Sequence, residues 1–192
     1  MVGWMELPTL LMKTQEDWDA WLETHRATKG AWLKLAKKDS GKKTLSYAEA
    51  LDVALCHGWI DGQKKALDAD FWLQKFTPRG PRSIWSKVNR EKVAALIAQG
   101  RMRPTGLAEV ERAKKDGRWD AAYDSQSKST VPPDLQAALD KSPRAREFFA
   151  MLDSKNRYAI LFRIQTVKKA ETRAARIQKF ITMLEENEKL HP

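Results

Sequence analysis

Between Gly58 and Pro81 the chain alternates, turns, alternates again, and then loses the ability to pair. Trp59, Asp61, Gln63 and Lys65 interleave with Ile60, Gly62 and Lys64. After Leu67-Asp68-Ala69-Asp70, Phe71, Leu73 and Lys75 interleave with Trp72, Gln74 and Phe76. A period of two sends successive side chains to opposite faces of a strand, so the two runs predict an antiparallel hairpin around a four-residue turn. Thr77-Pro78-Arg79-Gly80-Pro81-Arg82 cannot extend it, because each proline lacks the N–H that a ladder needs. The element before the hairpin is bounded as sharply. Ser46-Tyr47-Ala48-Glu49 spells a capping box, and Gly58 stands where a left-handed helix stop belongs.

The remaining pattern is mostly helical. Residues 1–13 read as a partly extended lead-in. Thr14 opens a helix with Glu16 and Asp17 in its first turn and Trp18, Trp21 and Leu22 as its apolar stripe. Ala31–Ala36 alternates as a strand with Leu33 and Leu35 on one side. A helix over 84–99 uses Val93, Leu96 and Ile97 as its core face, after a cap at Ser83 or Ser86. Another starts at Pro104 with Leu107 and Val110 inward and ends at Gly117. DSQSKSTVPP (124–133) has the composition of a linker. Beyond it come a short helix from Pro133, one opened by Ser142-Pro143, one capped by Ser154, and a long amphipathic one from Ala170 with Arg173, Arg176 and Lys179 outward. The predicted class is α+β: a small antiparallel or mixed sheet with helices over residues 1–124, a linker over 125–132, and an all-helical module over 133–192.

Charge says more than composition. The 192 residues carry a net charge of +10. Residues 75–92 hold six Lys/Arg against one acid, and residues 155–179 hold eight against one. The rest of the chain has 21 basic and 23 acidic residues, so the whole excess lies in those two stretches. Such a surface suits nucleic acid, a phosphorylated small molecule or anionic lipid. A protein partner is the remaining class. One cysteine excludes an internal disulfide framework. No apolar run is long enough to span a membrane, and the first residues show no secretory leader, so a cytoplasmic location is expected.

No residues assemble into a recognisable catalytic, metal or cofactor signature. Cys56 and His57 are adjacent on a helix and point about 100° apart, away from a nucleophile–base geometry. The ligand-binding candidates are Trp59, Asp61, Arg79, Arg82, Trp85 and Lys87 in the first basic stretch, with Arg163, Lys168 and Arg173 in the second. Arg79 and Arg82 flank prolines and are hard to bury without partners, which makes them the expected ligand-facing pair. Asp61 is a candidate partner for either. Tryptophans on strands are equally core material.

GWIDGQ (58–63), FTPRGPRSIWSKVN (76–89), GRWDAAY (117–123) and RYAILFRIQTVKKAETRAARI (157–177) resemble the YdeI/OmpD-associated, or bacteriocin-protection, family over nearly the whole chain. The resemblance implies a link to bacterial resistance to cationic peptides and no reaction, cofactor or catalytic residue. Three readings follow. The first is a non-enzymatic protein holding an anionic partner on a basic face. The second is an enzyme with a small anionic substrate clamped by Arg79 and Arg82, with Asp61 or His57 as acid/base. The third is single-stranded nucleic-acid binding through interleaved aromatic and basic residues.

Overall fold

The computed structural model describes residues 7–192. The reading of residues 1–6 as part of the lead-in lies outside the described residues. The chain divides into two compact units. One runs to Trp85 and adds Asn89–Asp120; the other comprises Ser86–Val88 and Ala121–Pro192.

The first unit opens with a short strand β1 (Thr9–Leu10), followed by helix α1 (Gln15–Thr24), strand β2 (Ala31–Ala36), helix α2 (Tyr47–Cys56) and the hairpin β3 (Trp59–Ala66) and β4 (Phe71–Pro78). Both predicted caps at α1 and α2 form. Thr14 and Ser46 accept from the backbone N–H of Asp17 and Glu49, and those carboxylates reach back to the cap backbone. Gly58 adopts φ +77°, a left-handed conformation that a residue with Cβ resists.

The sheet is mixed, with strand order β1-β2-β4-β3. β1 runs parallel to β2, and β4 pairs antiparallel with β2 and β3. A bulge shifts the β3–β4 register between Asp61 and Lys64. Gln74 fills the gap, its side-chain amide donating to Gly62 O at 3.0 Å and Gln63 O at 3.3 Å. One face of the sheet is the core face, with Ala31, Leu33, Leu35, Gln74 and Phe76 buried. Trp18 of α1 seats there, its ring 6.1 Å from Trp59 and 5.8 Å from Phe76.

Helices α3 (Lys87–Ala98) and α4 (Pro104–Lys115) follow. Val93, Leu96 and Val110 are buried, but Ile97 and Leu107 stay exposed, against the inward orientation expected of them. The apolar stripe of each helix is one residue narrower than its sequence pattern. The start of α4 rests on the end of α2: Arg103 N donates to Cys56 O at 3.0 Å. Gly106 makes this possible, since a Cβ there would lie 2.1 Å from Cys56 O.

The second unit is helical: a single 3₁₀ turn (Gln126–Lys128), then α5 (Pro133–Asp140), α6 (Pro143–Met151), α7 (Ser154–Gln165) and α8 (Ala170–Glu185). Asp153, not Ser154, caps α7, its carboxylate accepting from Asn156 N at 2.7 Å. Leu135, Phe149, Ile160, Ile164, Phe180 and Leu184 anchor the core that these helices share. The protein is thus α+β with a helical C-terminal part. No helix among the described residues is long and apolar enough to cross a membrane.

Replacing Gly106 by alanine is expected to push α4 off α2 and cost about 1–3 kcal/mol, the range for overpacking a filled site. A urea midpoint unchanged by Gly106→Ala contradicts this placement.

Candidate functional site

The Arg79 turn is an internal brace. Arg79 is 4% exposed. Its guanidinium carbon sits 3.5 Å over the Trp85 ring, its Nη1 donates to Ile84 O at 3.1 Å, and its backbone N–H donates to Gly58 O at 3.0 Å. Trp85 meets Trp119 edge to face at 4.9 Å. Arg90 lies 5.2 Å over Trp119 and donates to its carbonyl at 2.8 Å. Arg118 reaches Ser83 O at 2.7 Å and Asp116 at 2.8 Å. Planar guanidinium groups stack on indole faces while their N–H groups bind loop carbonyls, which suits arginine to this task. The expectation that both arginines are displayed is therefore corrected for Arg79. Arg82 is exposed.

The other candidates in the first basic stretch also separate. Trp59 and Trp85 are core residues. Asp61, for which the sequence offered an arginine partner, accepts a hydrogen bond from Tyr47 Oη at 2.8 Å. Lys87, within the second unit, pairs with Asp124 at 2.7 Å. The four residues of the enzyme reading do not converge. A cleft of about 270 Å³ is lined by His57 and Arg79, with Arg26, Trp59, Thr105 and Glu109, but not by Asp61 or Arg82.

His57 has partners that the sequence did not indicate. Its Nε2 lies 2.8 Å from Asp19 and its Nδ1 3.8 Å from Glu23. Arg103 grips the same Asp19 through Nε at 3.3 Å and Nη2 at 2.5 Å. Burial pushes the Asp19 carboxyl up, but hydrogen bonds from Arg103 and His57 outweigh it and hold the group below its usual range. Cys56 is buried, and that burial pushes its thiol up, away from the thiolate that a nucleophile requires.

In the second unit the arginines again hold helix ends. Arg173 grips Asp134 through Nε at 2.6 Å and Nη2 at 2.9 Å, and its Nη1 donates to Ile164 O at 2.8 Å. Arg176 donates to Arg163 O at 2.9 Å, and Arg163 to Ala159 O at 3.1 Å. Arg173 and Arg176 are thus cations at the C-terminal carbonyls of α7, where the helix dipole favours them. The Arg173 hydrogen bond holds Asp134 below the usual carboxylate range. Arg173 and Arg176 are therefore half-buried rather than outward, while Lys168 and Lys179 are exposed.

A further group of first-unit cations lies on the sheet face opposite Trp18. Register places Trp32 and Lys34 of β2 beside Lys75 and Leu73 of β4, with Lys65 of β3 beyond Leu73. Phe71 lies on the same face, opposite Ala36. Lys34 Nζ sits 4.0 Å over the Phe71 ring, and Lys65 and Lys75 lie 4.6 Å and 6.0 Å over Trp32. Trp32, Phe71, Leu73 and Lys75 remain half-buried and Lys65 is exposed, whereas on the opposite face Ala31, Leu33, Leu35, Gln74 and Phe76 are buried and Trp72 is half-buried, with the exposed Lys64 4.5 Å over its ring. Each such contact is worth about 0.5–1 kcal/mol at an exposed site, too little to lock a lysine in place. The sequence carried the signal: period-two alternation in Ala31–Ala36 sets Trp32 and Lys34 opposite Leu33 and Leu35.

Comparison with known families divides the chain in the same region. Residues 10–109, more than half of the chain, match the family described as Domain of unknown function (DUF8412). The chain belongs to that family. Residues 128–187 of this DUF8412 protein match a second model, described as Bacteriocin-protection, YdeI or OmpD-Associated. The resemblance read from the sequence is therefore carried by the C-terminal part. RYAILFRIQTVKKAETRAARI lies inside that match, while GWIDGQ and FTPRGPRSIWSKVN lie inside the DUF8412 match. No curated protein and no solved structure matches the chain.

Asp19 carries a pH prediction. Its folded-state pKa is depressed, so the stability it contributes is present above the unfolded value and is lost as pH falls through the folded one. Asp19→Asn is expected to cost about 1 kcal/mol at neutral pH, allowing for solvent screening at this half-exposed pair. The cost should vanish as acid protonates Asp19 in the parent. Urea midpoints measured across the acid range check this, and a cost independent of pH contradicts it.

Proposed function

We propose that this DUF8412 protein is a non-enzymatic binding protein that engages an anionic partner through the open face of its sheet. The observation that carries the reading is the placement of Lys34, Lys65 and Lys75 around the half-exposed rings of Trp32 and Phe71. Lysine is a compact charge on a flexible stem, so it can leave a ring and meet an incoming anion. The buried arginines are already committed to indoles and backbone carbonyls. Arg82 in the first unit and Lys168 in the second are exposed cations that add to anion attraction. Trp59, Asp61, Trp85 and Arg79 serve as scaffold. We place the protein in the cytoplasm.

The second family description speaks of bacteriocin protection. In our reading any such role of this chain is indirect. A net charge of +10 opposes capture of a cationic peptide, since like charges repel.

Titration with inorganic polyphosphate tests the reading. Binding is expected to weaken with added salt, and Lys34→Gln/Lys65→Gln/Lys75→Gln is expected to weaken it about ten-fold or more at low salt. A polycationic peptide should not bind in the same assay. Equal polyphosphate binding by parent and triple variant would remove the sheet face from the proposal.

A further inference from the structure

We infer that the open sheet face is a platform for single-stranded nucleic acid, an inference that rests on the proposed anion-binding role of the same face and adds the class of partner. A phosphorylated small molecule or a phosphate surface calls for cations alone. This face pairs its cations with aromatic rings. Trp32 and Phe71 lie on adjacent strands, and register separates them by four residues, about 13 Å along the strand direction. Lys34 and Leu73 occupy the row between them, and Lys65 flanks that row on β3. Rings with cations between and beside them form the pattern on which unstacked bases lie while the intervening phosphates are neutralised.

Edge protection does not account for all of the lysines. Lysines commonly guard an exposed edge strand against pairing with another chain. Lys65 is on β3, an edge, and has that explanation. Lys75 is on β4, an interior strand paired with both β2 and β3, where no edge needs guarding, whereas Lys34 lies on β2 just past the two residues that the short β1 covers. Lys34 is partly neutralised, its Nζ lying 3.8 Å from Asp68 Oδ2, while Lys65 and Lys75 show contacts to the Trp32 ring and no ion pair among the described residues.

The same geometry excludes a duplex as the preferred partner. Stacked base pairs offer no ring faces to Trp32 and Phe71, so a duplex would use the lysines alone. A single strand uses both. Its bases take over the rings that Lys34, Lys65 and Lys75 now cover, and the displaced ammonium groups are freed for the phosphates. The class covers DNA and RNA, which share bases and phosphates.

Fluorescence anisotropy with the full chain tests this. The probes are labelled single strands of about twelve nucleotides, within the range of ~4–16 seen for comparable modules, as DNA and as RNA. Competitors are the matching duplex and polyphosphate. The expected result is preference for a single strand over both competitors. Trp32→Ala/Phe71→Ala should weaken that binding by about ten-fold or more while leaving polyphosphate binding unchanged. Trp32→Leu alone, which keeps an apolar cover on the sheet, gives the same readout if the double variant does not fold. Comparing the two single strands shows which is held. Equal affinity for single strand, duplex and polyphosphate, insensitive to the aromatic variants, would overturn the inference and leave the anion-binding role standing. Absence of binding to any of them would overturn both.

Discussion

Trp18 sets the arrangement of the first unit. It is fully buried, donates from Nε1 to Ala50 O of α2 at 3.2 Å, stacks on Trp21 at 5.3 Å, and meets Trp59 and Phe76 of the hairpin. One indole thus joins α1, α2 and two strands. A large aromatic with a satisfied N–H contributes both buried area and a fixed direction. Once α1 and α2 are committed to that face, the hairpin has one covered side and one open side. The strand period of two then decides which residues are left outside: Trp32, Lys34, Phe71, Leu73 and Lys75.

The two kinds of cation divide the work according to their chemistry. Arginine is planar, carries five donors and is less strongly hydrated, so it can be packed beside indole and still bind carbonyls. Arg79, Arg90 and Arg118 brace the segment from Pro78 to Trp119 in this way, and Arg173 and Arg176 close the end of α7. Lysine keeps its hydrated ammonium at the surface while its stem lies over apolar groups. A basic stretch in sequence therefore need not be a basic surface. Residues 75–92 look like a display of charge, yet its best-placed arginine is among the most enclosed side chains of the unit.

Much of the fold was legible because its signals are local. The capping boxes at Thr14 and Ser46, the stop at Gly58 and the hairpin around Leu67–Asp70 each depend on residues a few positions apart. What failed depended on distant partners. Sequence reads Arg79 as displayed because its seat, Trp85 against Trp119, joins residues 34 positions apart. Ile97 and Leu107 read as inward because amphipathic spacing marks a stripe but not its width. The link between His57 and Asp19 spans 38 residues and leaves no spacing motif. The sheet face was within reach, since Trp32 and Lys34 alternate with Leu33 and Leu35. It is not legible as a whole, because Lys65, Phe71 and Lys75 join it only through the pairing of β2, β4 and β3.

A two-dimensional NMR titration of the full chain with a short single-stranded oligonucleotide would locate the working surface. The prediction is that shifts concentrate on the Trp32 indole N–H and on the backbone amides of β2, β4 and the end of β3 around Lys65. The buried indoles of Trp18, Trp59 and Trp85 should stay in place. Shifts centred instead on Arg82 and Lys87, or on α7 and α8 around Lys168, with the sheet undisturbed, would contradict the assignment of function to the open face.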